Sequence, residues 1–264
     1  MLRSFVIVLM LSALGVCSAY AQQKDYREFR SEHFLIYYPE TIDESYARST
    51  ADLAENYYRD ITQEFNLVRD KLWLWENRAK IFIAKDAQEY HDKFNCPAWS
   101  GACVNYEDKI IYTYPDQGNR SAIFIHELTH IIFREYVGRG KFPWWLDEAA
   151  ATYVEDKYSG NRYQGRLGIL KNAISNKQYI KFSDLNQMGS STLDMAAKGT
   201  VDLFYIESFS IVSFMVKRYG RDNFSQFLYF LRDGSTFEEA VLKSFQSVRS
   251  IDDLEGQWKR FYLE

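Results

Sequence analysis

The sequence predicts an α+β protein: a small N-terminal mixed-sheet lobe with helices, followed by a mainly helical C-terminal lobe. Two observations carry this. Three short β-rich stretches, HFLIYY at 33–38, KIFIA at 80–84 and KIIYTY at 109–114, all precede Pro115. Beyond it, apolar residues recur at helical spacing almost to the end of the chain. No internal repeat or low-complexity linker interrupts the sequence, so residues 22–264 read as a single domain, with lobes 22–115 and 116–264.

The first 21 residues read as a signal peptide. Arg3 supplies a positive start, residues 5–16 are almost wholly apolar, and Ala19-Tyr20-Ala21 has the small-x-small pattern of a cleavage site. An uncleaved anchor is the alternative, but the run falls short of the about 20 residues that span a bilayer. Val16 is too bulky for the residue before a lipidated cysteine at Cys17. With no second hydrophobic span, the expectation is a periplasmic or secreted protein without a stable membrane span once the signal is removed.

Residues 33–38 form the first expected strand. Leu53, Tyr57, Ile61 and Phe65 give the stretch 42–65 an amphipathic helical spacing. A strand at 80–84 and a short helix at 86–94 follow. Cys96 and Cys103 remain as an even pair in an exported chain, which favours a disulfide closing CPAWSGAC over two buried thiols. A turn at Glu107-Asp108 leads into the strand at 109–114. Helices are expected at 121–136, 145–158 and 164–175, then a polar loop to Gly199, then a helix at 201–219 ended by Gly220. Phe224, Phe227, Leu228 and Leu231 mark the next helix, up to Gly234. Ser235 and Glu238 form a capping-box pattern, and Ser250 caps a final helix holding Leu254, Trp258 and Phe261.

Composition narrows the function. The chain of 264 residues is 47% hydrophobic and 26% charged, ordinary for a globular protein. Its formal charge is −4 and no basic tract is present, so nucleic acid is not an expected partner.

The chemistry is carried by His126-Glu127-Leu128-Thr129-His130, an HExxH motif. A helix turns about 100° and rises about 1.5 Å per residue, so residues four apart share one face. Two imidazoles so placed converge on one ion, while Glu127, one step round, reaches a water without being a ligand. Ile123, Phe124, Ile125, Leu128, Ile131, Ile132 and Phe133 make this helix apolar on nearly every side, hence buried. Buried imidazoles and a carboxylate need a metal ion or a hydrogen-bonded cluster to pair with. A catalytic zinc site also needs a third protein ligand. Glu148, in WWLDEAAA, is the candidate, reached through Gly138, Gly140 and Pro143; Asp147 is the alternative. His33 and His91 have no metal-ligand spacing and read as structural or surface residues.

HELTH followed by WLDEAAA resembles the gluzincin metallopeptidases, the class of thermolysin and aminopeptidase N, and most of all their small exported relatives with a peptidase-MA-like domain. The opening EHFLIYY, the CPAWSGAC stretch and RYGRDNFSQFLYFLRDGSTFEEAV extend the likeness over most of the mature chain. The resemblance implies a zincin-like fold, Zn2+ bound by His126, His130 and Glu148, and Glu127 as general base. It also implies a peptide or protein substrate. Relatives usually carry Gly after the third ligand where this chain has Ala149. Tyr205 resembles the tyrosine that aminopeptidase-like gluzincins aim at the tetrahedral intermediate, although most of the 20 tyrosines must be core or surface. The strand near 104–112 resembles the edge strand that grips an extended peptide, with Trp99 and Gly101 at its rim; an ordinary hairpin is the alternative. No GxMEN-type motif for a free N-terminus is present, which favours an endopeptidase or a processing enzyme. The rival readings are a catalytically inactive metallopeptidase-fold binding protein and a structural metal protein of the cell envelope.

Overall fold

A computed structural model describes residues 25–67, 72–96, 100–115, 120–138 and 140–264. The expected signal peptide, Cys17 and Trp99 fall outside the described residues. The chain divides into two compact units, one from Met1–Glu55 with Trp73–Asp116, the other from Asn56–Leu72 with Gln117–Glu264. The architecture is α+β: a five-stranded mixed sheet near the N-terminus, followed by a helical remainder.

The first unit holds the sheet. Its strands are β1 (Arg27–Arg30), β2 (Phe34–Tyr38), β3 (Ala79–Ile83), β4 (Ala102–Asn105) and β5 (Ile110–Thr113), in the order β1-β2-β3-β5-β4. The β2–β3 and β3–β5 pairs are parallel and the outer pairs antiparallel. Parallel neighbours need crossovers. Helix α1 (Glu44–Glu64) links β2 to β3, and helix α2 (Ala87–Phe94) lies between β3 and β4. Ile36, Ile81 and Ile111 align across the three central strands and are buried. On the opposite face Tyr37, Phe82 and Tyr112 align, with Tyr37 stacked on Phe82 at 4.7 Å and Phe94 of α2 4.5 Å from Tyr112.

Asp86 caps α2 by accepting from Glu89 N at 2.8 Å, and Asn95 ends it in the left-handed region at φ 54°. The Cys96–Cys103 disulfide is formed, with Cα atoms 6.0 Å apart, and ties the end of α2 to β4. The region near 104–112 is two strands joined by a turn, β4 being the edge strand. Gly101 is buried rather than rim-exposed, and its carbonyl accepts the Thr113 hydroxyl at 3.0 Å. Strand β1 was not expected: REFR carries three charged residues in four, and only its pairing with β2 makes it a strand.

The second unit is helical: α3 (Arg120–Val137), α4 (Trp144–Asp156), α5 (Leu167–Ser175), α6 (Phe182–Leu185), α7 (Ser190–Asp194), α8 (Lys198–Tyr219), α9 (Arg221–Arg232), α10 (Phe237–Ser244) and α11 (Ile251–Leu263). Helix α4 is buried from Trp145 to Asp156 and packs against α3 and α8. By length and composition α8 is apolar enough to cross a membrane, but 67% of its apolar window is buried inside the protein.

Two expectations fail here. The stretch read as a loop up to Gly199 contains α6 and α7, helices of about one turn that are too short to show a 3.6-residue period. The capping box sits one residue later than expected. Ser235 N donates to Phe230 O at 2.9 Å and completes the end of α9 after Gly234, at φ 94°. Thr236 therefore becomes the cap of α10, with Glu239 N donating to its hydroxyl at 3.2 Å and Thr236 N donating to Glu239 Oε2 at 2.8 Å.

Candidate metal centre

Helix α3 places His126 and His130 one turn apart, and α4 brings in Glu148 near its start. The turn between them is built from backbone demands. Gly138 takes φ 93°, a conformation side-chain-bearing residues rarely adopt, and its N–H closes α3 on Arg134 O at 3.1 Å. Pro143 then precedes α4, with Leu146 N donating to its carbonyl at 3.0 Å.

The result is convergence. One ligand atom from each of His126, His130 and Glu148 lies within 4.8 Å of the others. The two Nε2 atoms are 3.1 Å apart. Glu148 Oε2 lies 3.7 Å from His126 Nε2, and Oε1 3.6 Å from His130 Nε2. A tetrahedral zinc with bonds of about 2.0–2.1 Å separates its ligand atoms by about 3.3 Å. The two nitrogens lie close to that separation, and the Glu148 carboxylate faces them with one oxygen nearer each imidazole.

The outer nitrogens explain why the inner ones face one another. His126 Nδ1 meets Glu155 Oε2 at 2.9 Å, and His130 Nδ1 meets Asp147 Oδ1 at 3.0 Å. A carboxylate accepts only, so each neutral ring keeps its proton on Nδ1 and turns an Nε2 lone pair inward. Two lone pairs and a carboxylate converging in a largely buried site repel unless a proton or a metal cation lies between them, and the raised His130 imidazole shows the site's pull on positive charge. The donor set therefore fits a zinc ion, with His–carboxylate partners of the kind that orient metal ligands.

Asp147, the alternative ligand in the sequence, is thereby assigned to the outer side of His130. Its Oδ2 also pairs with Arg134 Nε and Nη2, each at 2.6 Å. Burial pushes the Asp147 carboxyl up, but His130 and Arg134 outweigh it and hold it below the usual carboxylate range. Burial pushes the His130 imidazole down, but Asp147 and Glu148 drive it up to about 9 in the protein alone.

Glu127 is half-buried on the same turn of α3. Burial raises its carboxyl; the imidazoles of His130 and His126 pull it down, and Glu148 pushes it up, for a net rise. Such a carboxyl takes up a proton more readily than an exposed one.

Glu155 escaped the sequence reading. It lies two helical turns beyond Glu148 on the same face of α4, a periodicity that marks it in hindsight. Tyr163 Oη donates to Glu155 Oε2 at 3.3 Å, and Arg162 Nη1 lies 3.5 Å from Oε1. Tyr205 is half-buried on α8, its ring 5.3 Å from Phe204. Burial and Glu155 raise the Tyr163 phenol, and Tyr205 adds to that rise.

His33 and His91 have structural partners. His33 N and Nδ1 contact Glu55 at 2.8 and 2.6 Å, and His91 Nδ1 lies 2.9 Å from Cys96 O.

Comparison with known families matches residues 74–264 to a family described as the Peptidase MA superfamily. No curated protein matches the chain. Among solved structures, yeast LTA4 hydrolase in complex with bestatin is similar in fold, at a TM-score of 0.49 and 14% identity. The alignment covers 90% of this chain and 37% of that one, so this chain spans little more than a third of that protein's length.

Proposed function

Since the chain belongs to the Peptidase MA superfamily and has a metallopeptidase-like fold, we propose that it is a zinc-dependent peptidase acting on a peptide or protein outside the cytoplasm. One observation carries the reading: two imidazole Nε2 atoms 3.1 Å apart, with the Glu148 carboxylate beside them. His126, His130 and Glu148 hold the ion. When bound, zinc supplies Lewis acidity to the reacting carbonyl and water.

The residues of the chain do the rest. Glu155 and Asp147 keep both imidazoles in the ligating tautomer. Glu127 takes the proton of the attacking water and passes it to the leaving amine, a shuttle suited to a carboxyl raised by burial. The Tyr205 phenol donates to the developing oxyanion. The Cys96–Cys103 disulfide supports an oxidising compartment, hence a periplasmic or secreted location.

The test pairs metal analysis with a broad peptide-library digest. Wild type should carry one zinc per chain and cleave; Glu127→Gln should keep the zinc and lose about 10²–10⁴-fold in rate. Zinc without cleavage in wild type would instead identify an inactive binding protein, and cleavage by Glu127→Gln at the parental rate would remove Glu127 as base.

A further inference from the structure

Far along the chain from the HExxH motif, the second unit has a cavity of about 490 Å³ lined by Ile174, Lys177, Tyr179, Lys181, Gly256, Lys259, Arg260 and Leu263. Its floor is apolar. Its polar lining is cationic, with four basic side chains and no acid, in a chain whose formal charge is −4. Lys259 is held in place, its Nζ donating to Tyr179 Oη and Glu255 Oε1, each at 2.9 Å. Lys177, Lys181 and Arg260 are exposed and make no ion pair among the described residues. Three uncompensated cations around an apolar hollow match a ligand with an anionic end and an aliphatic body.

Gly256 points the same way. It lies inside α11, where glycine is less favourable than alanine because it loses more backbone freedom on folding. A Cβ there would meet only Arg260 Nη1, at 3.6 Å, so the backbone does not require glycine for lack of room. Its bare surface forms part of the cavity wall.

The walls also select the kind of ligand. They are formed by α5, the turn after it and α11, with no strand among them, and Lys177 N is engaged internally, donating to Ile174 O at 3.1 Å. A peptide lying there would bury amides against side chains without strand-like partners. An alkyl chain has no such requirement. We propose that this cavity binds a single-chain fatty-acid carboxylate, its alkyl body over Ile174, Gly256 and Leu263 and its headgroup among Lys177, Lys181 and Arg260.

The test is calorimetric titration of the full chain with laurate, below its micelle-forming concentration. One laurate per chain is expected, with Lys177→Glu/Lys181→Glu weakening binding at least tenfold and Gly256→Leu abolishing it. Both changes are compatible with folding, since the lysines are exposed and the leucine replaces a helical glycine; circular dichroism checks this. Dodecylamine should not bind at the site. Absence of laurate binding, equal binding of dodecylamine, or variants that bind like wild type overturns the proposal. So does tighter binding of a short acidic peptide, which would make the site a peptide exosite. Because the readout is binding, it stands or falls independently of zinc and hydrolysis.

Discussion

Each unit contains a histidine held by a glutamate, and the difference between the two arrangements separates a structural contact from a candidate metal site. In the sheet unit, Glu55 accepts from Ser31 Oγ at 2.6 Å and from His33 N at 2.8 Å, and meets His33 Nδ1 at 2.6 Å. That carboxylate takes three contacts from one short segment and acts as a staple. In the helical unit, Glu155 and Asp147 grip only the outer nitrogens of His126 and His130, and the inner nitrogens converge with Glu148. A His–carboxylate pair is thus not a site by itself. What makes one is a carboxylate that fixes the tautomer while a second nitrogen is aimed at a shared point.

The sharpest way to break this comparison is to delete one histidine from each arrangement. His130→Ala should remove zinc and all hydrolysis, whereas His33→Ala should retain a full zinc complement and lose roughly 1–3 kcal/mol of stability as Glu55 loses one of its three donors. Loss of zinc from both variants, measured by metal analysis, would erase the distinction. Next in size, Tyr205→Phe should lower kcat by about 10²–10³-fold with zinc content and KM little changed, if its phenol contacts the oxyanion. A parental rate would leave Tyr205 as packing for Phe204.

Smaller effects test the outer carboxylates. Glu155→Gln should weaken zinc affinity about 10–100-fold, read by competition with a chelator, while full loading restores most of the activity. Glu55→Gln should leave zinc affinity unchanged.

A buried carboxylate remote from both arrangements provides the cleanest contrast. Glu207 on α8 is fully buried, accepts from Ile180 N, and has no imidazole beside it. Burial pushes it up to about 9, against the opposing Ile180 hydrogen bond. The folded protein keeps this proton while the unfolded chain releases it at its ordinary value, so the folded state binds more protons across that interval. Stability should therefore fall as pH rises from about 4.5 to about 9, and Glu207→Gln should flatten that slope without touching zinc content. Thermal melts across this pH range decide it; an unchanged slope would mean the group titrates normally.

How much was visible in advance follows from the range of the interactions. The HExxH spacing is a property of one helix, since residues four apart share a face whatever surrounds them. The β-rich stretches of β2, β3 and β5, and the long amphipathic helices, announce themselves through their own periodicity. The turn through Gly138 and Pro143 also carries its own backbone requirement. Other features have no local signature. Charged β1 is a strand only because β2 lies beside it, and α6 draws its first-turn acceptor from Glu255, far away in sequence.

The sequence by itself determined which residues have the chemistry to hold a divalent ion, because ligand type and helical repeat are local facts. Only the tertiary structure set Glu148 against the two Nε2 atoms and Asp147 against the outer nitrogen of His130, and brought Glu155 to His126. Which oxygen reaches which imidazole nitrogen depends on how α4 packs against α3, and a one-residue step along a helix turns a carboxylate by about 100° from one side of a histidine to the other.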